Sequence, residues 1–317
     1  WASASSADWL QLVDAGVEFT PGGLLAVARA LGARPGCRAL YADEFQRAAN
    51  GTRGACFKPD FNLDLLLAFP LSLSQRWFFE RTTFLAAGGF DPVFDSAAEL
   101  DLILRLVERE GLVGLEHLDD VLLTAAAPSL QFNPHEQVAL ERHLQARGFQ
   151  AEVRLTLPGR YRIDYGRSEQ AKVSIVVAVR DQLLAVQRLL DSLLSLTSYP
   201  CYEVLLVDCE SRDTATQDWL LGIEALQSEQ IKVWRFAGPF NYSALVNAVA
   251  QAVDSPYLLL LAQDAEIIQT DWLDELVNQA QRPEVGAVGG KILDGQGGIE
   301  QAGMVLGLDA SAGRAFA

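Results

Sequence analysis

A chain of 317 residues, 50% of them apolar, has room for two ordinary domains with real cores. With 41 acids against 25 bases and a formal net charge of −16, it lacks the basic stripe that a nucleic-acid backbone demands. A small phosphorylated ligand stays open, because a divalent cation can offset its charge. No apolar run is long enough to cross a bilayer as a helix. The four cysteines (Cys37, Cys56, Cys201, Cys209) show neither metal-site spacing nor disulfide density, which predicts reduced thiols in a cytoplasmic protein.

The first half opens with a strand-like run at Trp9 to Val13, Asp14, and a turn at Pro21-Gly22-Gly23. A helix is predicted over Leu24 to Leu31, stopped by Gly32. Short strands are predicted at Ala39 to Tyr41, ending in Asp43-Glu44, and at Leu71 to Phe79. Helices follow at Arg81 to Ala87 and Ala97 to Glu110, the second with Leu100, Ile103, Leu106 and Val107 on one face. Val121 to Leu123 reads as a strand and Glu136 to Arg147 as a helix. The looser stretch 151–170, with Pro158-Gly159, is taken as the linker between a first domain at 1–150 and a second at 171–317.

Beyond it the rhythm changes. Val173 to Val179 is a continuous apolar strand of the kind buried on both faces. Then come a helix (Leu183 to Leu196), a strand (Glu203 to Val207), a helix (Thr214 to Leu226) and a strand (Lys232 to Phe236). A helix (Ser243 to Ala252), a strand (Tyr257 to Leu261) and a helix from Trp272 complete the series. This alternation predicts an α/β fold, a mostly parallel sheet with helices on both faces and ligands at the carboxyl ends of its strands.

Those ends carry Val179-Arg180-Asp181, Asp208-Cys209-Glu210 and Asp264-Ala265-Glu266. The glycine-rich loop of a dinucleotide site and the G-K-[ST] of a P-loop are both missing there. Acidic strand ends on one sheet edge repel unless a cation or donor lies between them. Carboxylate oxygens are hard ligands that suit Mg²⁺ or Mn²⁺, with diphosphate oxygens completing the shell. Spacing alone leaves two readings of Asp264-x-Glu266 open: metal ligands, or the solvated loop that precedes any helix. His117, His135 and His143 make no ligand pair and are read as surface or helix residues. Gly289-Gly290 and Gly297-Gly298 read as tight turns around a hairpin.

Six ordered stretches resemble the donor half of a family 2 glycosyltransferase with the GT-A fold, of the O-antigen or rhamnosyltransferase type. They are VSIVVAVRDQ, SLTSYPCYEVLLVDCESRD, FAGPFNYSALVNAVA, SPYLLLLAQDAEI, DWLDELVNQAQRPEVGAVGGKIL and IEQAGMVLGL. The resemblance implies that Asp208 hydrogen-bonds the base of a nucleotide-sugar donor, a pyrimidine. Ala178, Val179 and Arg180 would line base and ribose, with Glu210 beside the nucleotide, and Asp264 and Glu266 would hold Mn²⁺ or Mg²⁺. The family's usual proline is Ala178 here, and its asparagine-glycine is Cys209-Glu210.

The first half resembles the acceptor side of a preceding domain of the same family, through LYADEF, FKPDFNLDLLL, FFERTTFLAAGGFDPVF, AAELDLILRL and NPHEQVALERHLQARG. In that register Glu99 takes the place of the catalytic base. Asp14-Ala15-Gly16 takes the place of the metal motif with its second acid lost, and Thr124 replaces a later metal-ligating histidine. The expectation is an internal piece of a tandem, inverting glycosyltransferase, the second domain's base lying past Ala317. Its acceptor would be a glycan, a lipid-linked glycan or a protein, at the cytoplasmic membrane face. The rival expectation is a non-catalytic glycan- or partner-binding scaffold built from degenerate halves.

Overall fold

The computed structural model describes residues 2–128, 130–166, 170–237, 240–306 and 312–314. Two short pieces of the matching stretches, Gly238-Pro239 and Gly307-Leu308, lie outside the described residues. The chain divides into two compact units, Trp1–Gly166 and Arg167–Ala317.

In the first unit, β1 (Trp9–Gln11), β2 (Glu18–Phe19) and α1 (Gly23–Ala33) lead into β3 (Ala39–Arg47) and β4 (Arg53–Cys56). Then come α2 (Leu63–Ala68), β5 (Phe78–Glu80), α3 (Arg81–Ala86), α4 (Ala98–Glu110), β6 (Leu115–Ala126) and α5 (Pro134–Ala146). The strands form a mixed sheet in the order β1-β5-β3-β6-β2, with β4 beside β3; β3 and β6 run parallel. α4 buries Leu100, Ile103, Leu104 and Val107 against Tyr41, Trp77 and Phe79. Its buried Asp101 holds Arg105 of the same helix at 2.7 Å and Arg142 of α5 at 2.6 Å.

Three expectations change here. The strand predicted over Leu71 to Phe79 is a 3-10 turn at Pro70–Ser72 followed by β5, because Arg76 takes a left-handed φ of 63° that breaks an extended path. Segment 151–170 holds a hairpin of β7 (Glu152–Leu157) and β8 (Arg160–Asp164), turning at Pro158-Gly159. Val153, Tyr161 and Ile163 from that hairpin enter the first unit's core. Of the histidines read as surface or helix residues, His117 lies on strand β6, stacked on Tyr41 with ring centroids 4.8 Å apart. His143 is on a helix but fully buried, 2.8 Å from Glu108.

The second unit runs β9 (Val173–Val179), α6 (Leu183–Leu196), β10 (Tyr202–Asp208), α7 (Thr214–Ala225), β11 (Ile231–Arg235), α8 (Tyr242–Ala252), β12 (Tyr257–Leu261) and α9 (Trp272–Ala280). Its sheet order is β11-β10-β9-β12, parallel throughout. Ile175, Val177 and Val179 of β9 pack with Val186, Leu189 and Leu193 of α6, Leu220 of α7 and Val277 of α9. Val176 packs with Leu245 and Val249 of α8 on the other face. Both faces of β9 are therefore covered, and its unbroken apolar run follows. A hairpin of β13 (Ile292–Leu293) and β14 (Ile299–Gln301) turns through Gly297, whose φ of 84° only glycine adopts freely. A second pair, β15 (Met304–Leu306) with β16 (Ala312–Arg314), follows.

Candidate active site

The carboxyl ends of β10, β9 and β12 form one edge, with Asp208 opposite Val179 and Leu261 opposite Val177. Asp208 closes β10 with 9% of its surface exposed. Its Oδ1 accepts the Ser211 N–H at 3.1 Å and its Oδ2 the Arg235 guanidinium at 2.7 Å. Burial alone would raise its pKa; the bonds from Ser211 and Arg235 outweigh that and hold the carboxyl below the usual range.

The loops at this edge are stitched together. Arg180 N–H donates to Gln263 Oε1 at 3.0 Å, and Asp181 N–H to Ser211 Oγ at 3.1 Å. Asp181 Oδ1 accepts the amides of Arg212 at 2.7 Å and Asp213 at 2.8 Å. Asp181, Gln182 and Glu210 all hold φ between 55° and 57°. Three non-glycines in the left-handed region within two adjacent loops mark a strained edge, as at ligand sites. Glu210 is exposed, at the position where the family resemblance expects glycine.

Of the residues expected to line the nucleotide, Arg180 is exposed, with its guanidinium 5.7 Å from the Phe240 ring centroid. Ala178 is half-buried against the α8-side core. Val179 is fully buried beneath α6, and its carbonyl accepts the Cys209 N–H at 2.9 Å. Its side chain has no route to a ligand.

After β12 the chain turns through Ala262 to Ala265, closed by Ala265 N–H on Ala262 C=O at 3.2 Å. Ala265 and Ile267 pack into the core, whereas Asp264, inside the turn, and Glu266 are exposed. Neither carboxylate meets a hydrogen-bond or ion-pair partner among the described residues, and both sets of lone pairs are free. That arrangement suits a hard divalent cation whose other ligands come from a diphosphate. Among the described residues, no group of three or more His, Cys, Asp or Glu side chains converges as a complete metal site.

The sequence places Asp208 and the Asp264/Glu266 pair at one edge, and the structure brings them there. Sequence reasoning placed Asp181 and Gln263 at strand ends without giving them a role, and it passed over Arg235; all three build that edge. Arg235 left a signal too, as the base ending a strand beside an acid-ended one.

With this geometry in view, residues 174–308 match the model of glycosyl transferase family 2. This part of the chain belongs to that family. The family 2 domain has the α/β architecture expected of it, a parallel sheet with helices packed on both faces, and the chain carries a glycosyltransferase domain. The O-antigen biosynthesis protein RfbC of Myxococcus xanthus is 36% identical over 99% of this chain and 25% of its own length. The y4gI protein of Sinorhizobium fredii is 34% identical over 96% of this chain and 35% of its own. The chain thus spans between a quarter and about a third of these relatives. Among solved structures, the mannosyltransferase PcManGT of Pyrobaculum calidifontis, in complex with GDP-Man and Mn²⁺, matches with a TM-score of 0.34 and 18% identity. That match covers 38% of this chain and 35% of PcManGT.

In the first unit, Glu99 on the opening turn of α4 is partly buried. Its Oε2 accepts the Arg76 N–H at 3.1 Å and its Oε1 the Trp77 N–H at 3.2 Å. Burial pushes its pKa up to about 7, outweighing the two amides and the Arg76 charge that pull it down. A carboxyl that gains and loses its proton near neutrality is suited to general-base work. Asp14 is exposed, and the turn closed by Val17 N–H on Asp14 C=O runs through Gly16 at φ 91°. Position 16 serves that turn, which an aspartate would strain. Thr124 is a buried residue of β6, opposite Glu18 and Phe45.

Proposed function

We propose that the second unit binds the nucleoside diphosphate of a sugar donor through a divalent cation, Mn²⁺ or Mg²⁺, on Asp264 and Glu266. The carrying observation is the exposed, unpartnered pair of carboxylates beyond β12, on the same edge as Asp208. The ends of β10 and β12 flank β9 and stand about 10 Å apart, two interstrand spacings. That span suits a nucleotide with its base by Asp208 and its diphosphate by Asp264. When bound, the cation would neutralise the departing diphosphate as a Lewis acid. Asp208 would accept from the base, and Arg180 and the backbone of Ala178 would border base and ribose.

The reaction is sugar transfer to a glycan or lipid-linked acceptor in bacterial surface polysaccharide synthesis, with inversion at the anomeric carbon. The kinship to an O-antigen biosynthesis protein over nearly the whole chain supports this reading. In the first unit Glu99 would take the proton of the attacking acceptor hydroxyl. The protein would work at the cytoplasmic face of the membrane; no helix among the described residues is long and apolar enough to cross it.

The test is a thermal-shift titration of the chain with UDP, GDP and dTDP, each with and without Mn²⁺. One of these nucleotides should stabilise the second unit only with metal, because ligand binding shifts unfolding by mass action. D264A should lose that shift while keeping its melting temperature without ligand. A metal-dependent shift retained in D264A would refute the assignment.

A further inference from the structure

The β7–β8 hairpin is anchored at its base and bare towards its tip. Val153 and Ile163, paired across the two strands, lie in the first unit's core with Tyr161. Leu155, opposite Tyr161, and then Leu157 follow at the two-residue period, yet they are 39% and 62% exposed. The turn at Pro158-Gly159 rests against the side chains of Phe69 and Leu130. Leu130 is 54% exposed. Phe132 is 55% exposed and adjoins Asn133, whose carbonyl accepts the Tyr161 hydroxyl at 3.3 Å. Four large apolar side chains thus stand in solvent around one hairpin, a cluster of the kind that marks an interaction surface.

The other face of the hairpin carries charge, sorted by position. Glu152 and Asp164 oppose each other at the base. Arg154 opposes Arg162 further out, and Arg160 follows at the turn. All three arginines are exposed; Arg154 holds Glu152 at 2.6 Å, and the Arg160 guanidinium lies over the Phe69 ring, 4.1 Å from its centroid. The helices packed on the hairpin add Asp64 on α2, Glu141 and Arg142 on α5, and Glu136, which is buried and accepts the Tyr161 hydroxyl at 2.9 Å. From Arg147 to Asp164 four arginines stand against two acids, the reverse of a chain whose formal charge is −16. We infer that this hairpin docks the first unit on an anionic lipid bilayer. Leu130, Phe132, Leu155 and Leu157 would enter the interfacial layer, and the arginine stems would reach back to the headgroups. Stable docking of this kind takes two signals, buried apolar area and attraction to anionic lipid, and the hairpin carries both. The acidic remainder of the chain is repelled by the same surface, which fixes the face that meets it. That the acceptor waits at this bilayer rests on the transferase reading above; the docking surface itself rests on the hairpin.

The test floats the 317-residue chain with phosphatidylcholine vesicles and with vesicles that also contain phosphatidylglycerol. The chain should bind only the second kind, and added salt should release it. L157E should abolish binding. R160Q/R162Q should weaken it roughly twenty-five-fold, since each arginine near an anionic surface corresponds to roughly fivefold. All three positions are exposed, and unchanged melting temperatures would show that both variants fold. Should the double variant not fold, L157E and the salt series decide. Equal binding to both kinds of vesicle, no binding, or unaltered binding by L157E would overturn the inference. So would a dimer in sedimentation velocity that L157E dissolves, because the face would then belong to a second copy. D264A should bind vesicles as the parent chain does, so failure of the nucleotide assignment reads out separately, in the Mn²⁺-dependent thermal shift.

Discussion

The left-handed backbone at Arg76 turns two successive amides toward both oxygens of Glu99. Those amides favour the ionised form, yet burial dominates, and Glu99 titrates near 7 against an ordinary 4.5. Between those values the folded state binds more protons than the unfolded chain. Glu99's contribution to stability is therefore complete below about 4.5 and is lost as pH rises through about 7. E99Q, which stays neutral, should remove this part of the pH dependence, and denaturant titrations from pH 4.5 to 8 read it directly. At the other site, Glu210 adopts φ 57° with its side chain exposed. E210G should relieve that backbone at a gain of about 0.5–1 kcal/mol, offset in part by the freer unfolded chain. It should also tighten Mn²⁺-dependent nucleotide binding by removing a negative charge from the loop. Calorimetric melting and nucleotide titration of this variant separate the two effects.

At the scale of elements, the loop after β10 hands directly to α7 through Asp213. Its Oδ2 accepts the Thr216 N–H at 3.1 Å and the Thr216 hydroxyl at 2.8 Å. D213A leaves an amide of the first turn uncapped and should cost about 1 kcal/mol in chemical denaturation. Asp181 Oδ1 in turn accepts the backbone amides of Arg212 and Asp213, so D181A should loosen the β9 and β10 loops together and weaken nucleotide binding. The second unit's elements were legible because each β9-type strand is an unbroken apolar run and each helix has one apolar stripe. β9, α6 and β12 fall where periodicity placed them. The first unit was harder to read. β6 extends from Leu115 through the exposed Asp119-Asp120 pair and carries register shifts against β3, so its pattern never settles into a period of two. The β7–β8 hairpin was hidden by polar residues on its exposed face, which resemble a linker. The partnership of Arg76 with Glu44, Asp14 and Glu99 spans over sixty positions of sequence, and no local spacing announces it.

At the scale of the molecule, each hydrophobic cluster lies within one unit, two in each. One buried acid in each unit, Glu99 in the first and Glu203 in the second, responds to pH, and the two do so in opposite senses. In the second unit Glu203 is 4% exposed at the amino end of the sheet, bonded to Lys232 at 2.8 Å, Lys172 at 2.9 Å and Ser174 at 2.7 Å. Burial pushes its pKa up, but Lys232, Lys172 and Ser174 together pull it down to about 2. Its contribution is present above the unfolded value of 4.5 and is lost as pH falls toward about 2. Glu99 in the first unit loses its contribution in the other direction, toward neutrality and above. Two units with separate cores and opposite proton linkage should not keep a fixed order of melting. Differential scanning calorimetry of the chain should show the second unit's transition falling relative to the first's as pH drops below 4.5. E203Q should flatten that acid dependence, while E99Q leaves it intact and alters only the neutral range. Parallel movement of both transitions with pH would show that the two carboxyls do not set it.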